Sequence, residues 1–135
     1  MLTKLSIIKI GGNLLDEKSL KLLITYLKRV NHPCILVHGG GNKLTDQAEA
    51  MGIKQTLIDG RRMTDSETLK QAIMVYSGLN TELVTLLNAH QILALGISGS
   101  SGGFLNSNKT NGFGEVGKVD QIDVDRISQL LNLGY

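Results

Sequence analysis

The chain has 135 residues, 41% of them apolar, with 14 basic side chains against 12 acidic ones and a net charge of +2. That is enough for one modest hydrophobic core, and it excludes a disordered or fibrous chain; the dispersed lysines exclude a clustered basic footprint for nucleic acid. With no Trp, two Phe and three Tyr there is little from which to build an aromatic stacking platform.

Leu5 to Ile10 reads as a first strand ending at the pair Gly11-Gly12. Lys4 and Lys9 interrupt this apolar segment well short of the ~20 residues a membrane helix needs, and no signal-peptide arrangement opens the chain. A reducing cytoplasm is the expected compartment. Asp16 can cap a helix running to about Val30, with Leu20, Leu23, Ile24 and Leu27 recurring on one side before Asn31 to Pro33 stop it.

Ile35-Leu36-Val37 is a second strand, apolar throughout as a strand covered on both faces should be. Cys34 beside it has no partner for an intramolecular disulfide and reads as a buried thiol, reactivity being the alternative. Gly39-Gly40-Gly41 follow, and Leu44, Ala48 and Met51 mark the inner side of a short helix ending at Gly52. Residues 53–64 suggest a hairpin turning at Asp59-Gly60.

Thr64 and Glu67 form a capping-box signature for a long helix over 65–89. Its stripe of Leu69, Ile73, Tyr76, Leu83 and Leu87, broadened by Met74, Val75, Leu79, Val84 and Leu86, is more than a sheet alone can cover. A second subunit against that helix, giving a homodimer, is expected. Ile92 to Ile97 reads as a third strand. Residues 98–112, rich in Gly, Ser and Asn, read as loops or hairpins, and Val116 to Ile122 include a further short strand. Asp123 caps a last helix with Val124, Ile127, Leu130 and Leu131 inward and Gly134 as its left-handed C-terminal residue. The pattern is α/β: a three-layer αβα sandwich with a mostly parallel central sheet.

Gly112-Phe-Gly-Glu-Val-Gly-Lys118 satisfies two nucleotide-binding patterns in letters only. Val119 stands where a phosphate loop needs a hydroxyl, no buried strand leads into Gly112 and no helix opens inside the motif, so a Gly-rich turn is the expectation. The glycines at 11–12 and 39–41 have the better context. They follow parallel strands, at whose carboxyl ends ligands bind, and their backbone amides can approach an anion closely.

Lys9, near the end of an apolar strand, could neutralise a phosphoryl group, or could simply be solvated on an edge strand. Arg62 could fork onto a carboxylate or be ordinary surface charge. Asn80, on the inner stripe of the long helix, either braces neighbouring loops or touches a substrate. His38 adjoins the triple glycine and fits a loop-bracing hydrogen bond better than a metal, for which no ligand cluster is evident. His32 and His90 sit at helix ends. Ser98, Ser100 and Ser101 have no base beside them.

Lys9-Ile-Gly-Gly12, Val37-His-Gly-Gly-Gly41 before a helix, Gly60-Arg-Arg62-Met-Thr64 before a long helix, Asn80 in Gly-Leu-Asn-Thr and Gly114-Glu-Val-Gly-Lys118 together resemble the N-terminal domain of the amino acid kinase family, over essentially the whole chain. The resemblance is to the branch that phosphorylates N-acetyl-L-glutamate for arginine biosynthesis. It implies ATP and Mg2+ as co-substrate, transfer to the side-chain carboxylate of an N-acyl-L-glutamate, and an acyl phosphate product. Lys9 would then stabilise the transferring phosphoryl group, Gly11 and Gly12 would contact ATP phosphates, Gly40 and Gly41 would lie at the reacting carboxylate, and Arg62 would hold the α-carboxylate.

Ser101 departs from the family, which has an acidic residue there. The family's nucleotide-binding half has no counterpart in residues 1–135. They are therefore expected to be the substrate-binding and dimerisation domain, truncated before the ATP-binding domain and inactive alone. The alternatives are a non-catalytic N-acyl-amino-acid-binding or dimerisation module and a family member with another acceptor. Neither nucleic acid nor membrane is expected as a partner.

Overall fold

Ser6–Ile10 (β1) and Cys34–His38 (β2) pair in parallel, in register from Ser6 opposite Cys34 to Ile10 opposite His38. The computed structural model describes residues 4–11 and 16–135. Glu17–Leu27 (α1) connects the two strands, and the Asp16 carboxylate caps it by accepting from the Ser19 amide at 3.0 Å. Ser19 Oγ adds a second bond to that carboxylate, and these hydrogen bonds hold Asp16 below the usual carboxylate range.

Period-two alternation then decides which face of the strands is covered. Ile8, Ile10 and Leu36 meet Leu20, Leu23, Ile24 and Leu27 of α1 and Leu83 and Leu87 of the long helix Ser66–Ala89 (α3). The other face bears Leu5, Ile7 and Val37, all exposed. A smaller apolar cluster joins Leu44, in helix Gly41–Ala50 (α2), to Val75 and Leu79 of α3.

Leu57–Ile58 (β3) and Arg61–Arg62 (β4) form the expected hairpin. Asp59 at φ 49° and Gly60 at φ 75° are both left-handed, the geometry a two-residue turn needs to match the twist of its strands. Leu105–Lys109 (β5) and Gly117–Ile122 (β6) make a second antiparallel hairpin, and Val124–Asn132 (α4) ends in Gly134 at φ 95°. Helices flank the parallel strands in the α/β arrangement expected. Among the described residues no helix is long and apolar enough to cross a membrane.

Four expectations are corrected. The cap of α3 is Asp65, whose carboxylate accepts from Thr68 N at 2.7 Å; Thr64 is occupied elsewhere, its hydroxyl donating to Arg62 O. The buried stripe of α3 runs through Thr68, Gln71, Val75, Leu79, Leu83 and Leu87, while Ile73, Met74 and Tyr76 are exposed. The strands and α2 cover only one side of that helix. Met51 and Val124 are likewise exposed, for each lies at the very end of its helix, past the packed turn.

The fourth correction is residues 92–97, which join no ladder. Side-chain amides stand in for a strand partner: Asn88 accepts from Ala94 N at 3.1 Å and donates to Ala94 O at 3.4 Å, and Asn80 donates to Ile97 O at 3.2 Å. The alternation that suggested a strand is present nonetheless, with Ile92 and Ala94 against the core and Leu93 and Leu95 exposed. Between this segment, Cys34 to Leu36 of β2 and Ile127, Leu130 and Leu131 of α4 lies a mainly apolar cavity of about 740 Å3.

Candidate functional site

The parallel register fixes the first part of the site. Lys9 lies opposite Val37 and Ile10 opposite His38, and the Gly39 amide donates to Ile10 O at 3.2 Å, carrying the ladder one step beyond the strands. Gly11 is thereby set beside the Gly39-Gly40-Gly41 turn. Lys9 is exposed and forms no ion pair or hydrogen bond among the described residues. Gly12 lies outside the described residues.

The three glycines of the second turn do different things. Among the described residues a Cβ on Gly39 or Gly41 would meet nothing within 4 Å, and the same holds at Gly11, so these backbones leave room that an anion's oxygens could enter. Gly40 is packed: a Cβ there would come 2.5 Å from Leu79 Cδ1 and 2.9 Å from two ring carbons of Tyr76. It is the N-cap of α2 and, having no side chain, gives the first turn no side-chain cap.

Arg62 enters from the hairpin. One terminal nitrogen, Nη2, donates to Gly41 O at 3.2 Å and to Thr45 Oγ1 at 2.8 Å; the other, Nη1, donates to Gln55 Oε1. All three acceptors are neutral, and no carboxylate pairs with Arg62 among the described residues. A half-buried guanidinium with its orientation fixed and its charge uncompensated favours an anion. Lys9, Gly11, the Gly39-Gly40-Gly41 turn and Arg62 therefore border one end of the parallel pair, with two cations and a helix N-terminus.

His38 Nδ1 donates to Gly39 O at 3.1 Å. Asn80 is half-buried against residues 96–97, where the missing side chain of Gly96 makes room for its Oδ1. His32 bonds Ser6 Oγ at 2.8 Å, and His90 Nδ1 donates to Leu86 O at 2.9 Å as α3 ends. Cys34 is half-buried at the opposite end of β2 from the turns, and burial raises its thiol pKa. Among the described residues no group of three or more His, Cys, Asp or Glu could hold a metal ion.

The glycine motif at 112–118 is the turn of the second hairpin. It docks on the start of α3, where Thr64 N donates to Phe113 O at 3.1 Å and Glu115 N donates to Thr64 O at 2.6 Å. The Arg61 guanidinium lies 5.8 Å above the Phe113 ring. That docking braces β4, and with it Arg62.

Two contributors were not apparent from the sequence, Thr45 and Gln55. Thr45 is one helical turn beyond Gly41, to whose carbonyl its hydroxyl also donates at 3.0 Å. Gln55 sits two residues before β3, within diagonal reach of Arg62 once the hairpin register is known. The only signal for either was the Asp59-Gly60 turn that sets this register.

The sequence pattern of the amino acid kinase family fits residues 4–135. The chain is 38% identical over 141 residues to an acetylglutamate kinase of Bacteroides thetaiotaomicron, covering 99% of this chain and 54% of that protein. It is 38% identical over 140 residues to an acetylglutamate kinase of Methanopyrus kandleri, covering 97% and 54%. The chain thus spans about half the length of the curated relatives it matches. Among solved structures, a Streptococcus mutans protein superposes with a TM-score of 0.82 at 20% identity, covering 96% of this chain and 55% of that one. N-acetylglutamate synthase from Neisseria gonorrhoeae, complexed with coenzyme A and L-arginine, superposes with a TM-score of 0.70 at 21% identity, covering 99% and 34%. At those identities the likeness is one of fold.

Proposed function

Because this chain belongs to the amino acid kinase family, we propose that it forms the acceptor-binding part of an ATP-dependent kinase acting on the side-chain carboxylate of N-acetyl-L-glutamate. The observation that carries the reading is Arg62, held by neutral partners against the Gly41 turn with no carboxylate paired to it among the described residues. An N-acyl-glutamate brings two carboxylates and no cationic amine, so it suits a site with cations and amide donors at one strand end. The relatives named for this activity support the choice of acceptor.

The chemistry follows from charge. A side-chain carboxylate is already ionised at neutral pH, so its attack on phosphorus needs no general base. Two anions must instead be brought together and aligned. Arg62 would hold the α-carboxylate, while the Gly40 and Gly41 backbone would place the reacting carboxylate. Lys9, with the Gly11 and Gly12 turn, would offset charge on the transferring group. The open space at Gly11 fits phosphate oxygens, whereas the described residues offer no cage for a resident metal. ATP with Mg2+ would supply the phosphoryl group, the cation travelling on its phosphates.

The reading also takes this chain as a substrate-binding and dimerisation domain that works with a nucleotide-binding half. The exposed Ile73, Met74 and Tyr76 of α3 offer the face for a second copy. Calorimetric titration of the purified chain with N-acetyl-L-glutamate tests the acceptor site, with N-succinyl-L-glutamate run alongside for acyl preference. Saturable binding that Arg62→Ala weakens tenfold or more is expected. Binding indifferent to Arg62→Ala would remove the assignment, and phosphoryl transfer from ATP by this chain alone that Lys9→Ala abolishes would overturn its dependence on a nucleotide-binding half.

A further inference from the structure

Gln55 has a buried side-chain nitrogen, Nε2, with no hydrogen-bond partner among the described residues. The amide cannot be turned over to cure this, because its oxygen is the acceptor for Arg62 Nη1. An apolar residue of the same size would avoid leaving a dry donor. Retaining the amide therefore calls for a gain elsewhere, and among the described residues its side chain bonds Arg62.

We infer that Gln55 is a positioning residue, a neutral acceptor that with Thr45 fixes the Arg62 guanidinium at the Gly41 turn before an anion arrives, without cancelling its charge. The consequence for ligand binding rests on the function proposed above; the claim about Arg62 itself does not. Neutrality is the essential property. A carboxylate at position 55 would orient Arg62 at least as firmly, since charge-assisted bonds are stronger, but it would occupy the cation that an incoming carboxylate needs. An apolar residue would leave the charge free and the orientation loose. Glutamine alone of the three gives both orientation and a free charge.

The test uses the 135-residue chain with 15N-labelled arginine, its Arg62 signals assigned through Arg62→Lys. In ligand-free wild type, rotation of the Arg62 guanidinium is expected to be hindered. Gln55→Leu should speed it about tenfold, the scale of one lost hydrogen bond to a charged group, while the thermal midpoint stays level or rises because the orphaned donor has gone. Gln55→Glu should restore the hindrance. Equal mobility in wild type and Gln55→Leu, or failure of Gln55→Glu to rescue, would overturn the inference, and so would a drop in melting temperature for Gln55→Leu with Arg62 unmoved.

Titration with N-acetyl-L-glutamate adds a second arm. Gln55→Leu is expected to raise Kd about fivefold, and Gln55→Glu to raise it further although Arg62 is rigid. Gln55→Glu binding as tightly as wild type would refute the neutrality argument. If wild type fails to bind this ligand, the proposed function falls, and the ligand-free rotation measurement decides the positioning claim by itself.

Discussion

Gly40→Ala puts one methyl group where the structure has no room for it. The added carbon would stand 2.5 Å from Leu79 Cδ1 and 2.9 Å from Tyr76 Cδ1 and Cε1, against an ordinary contact distance of roughly 3.5–4.0 Å. The φ of Gly40, 173°, is extended backbone open to any residue, so the constraint is space and not dihedral strain. Tyr76 is 40% exposed and can swing outward, but Leu79 is 5% exposed and locked between Leu44 and Val75.

Overpacking of this kind costs about 1–3 kcal/mol, and the stiffer unfolded chain returns roughly 0.4–1 kcal/mol. A net loss of about 1–2 kcal/mol should lower the thermal midpoint by about 4–8 °C. Urea unfolding followed by circular dichroism reads the same loss as a lower midpoint at unchanged slope. The start of α2 should also be pushed off α3, drawing Gly41 O away from Arg62, so binding of an N-acyl-glutamate weakens with stability. Gly41→Ala is the control, since its added carbon meets nothing within 4 Å, and its midpoint should stay close to wild type. An unchanged or raised midpoint for Gly40→Ala would show that the turn is not seated on α3 as described.

Gly114→Ala meets two obstacles, a φ of 72° and a Cβ driven into Thr64 O, and should undock the second hairpin; loss of amide protection at Thr64 and Glu115 by hydrogen exchange reports it, and retained protection would contradict the docking. Asp65 has its pKa held below the ordinary carboxylate range, first by the bond from the Thr68 amide. Its contribution is thus present above the unfolded-state pKa and lost as pH falls through the folded one, so Asp65→Ala should lower the urea midpoint at pH 7 and converge on wild type in acid. A deficit independent of pH would assign the effect to something other than the charged cap. Ile73→Glu with Met74→Glu should convert a dimer to monomers by sedimentation velocity; a wild type monomeric at high micromolar concentration would count against α3 as the dimer face.

Local chemistry made much of this molecule legible in the sequence. Asp16 and Asp123 were read as caps because a carboxylate before an apolar-periodic run has a free amide to accept from, and each accepts from the residue three further on. Asp59-Gly60 declared its hairpin because few residue pairs take two left-handed conformations. The glycines behind two strands, with Lys9 and Arg62, were singled out because small or charged residues at strand ends have little structural reason to be there.

Only the tertiary structure decided which surfaces meet. Periodicity shows that a helix has an apolar side but not how wide a stripe its neighbours cover, so the buried face of α3 moved from Ile73 and Tyr76 to Gln71, Val75 and Leu79. Alternation in residues 92–97 was real, yet a strand also needs a partner ladder, and the side chains of Asn80 and Asn88 took that place. The setting of Arg62 depends on Thr45 and Gln55, 17 and 7 residues away along the chain. Such contacts arise when separate elements are brought together, and no local propensity encodes them.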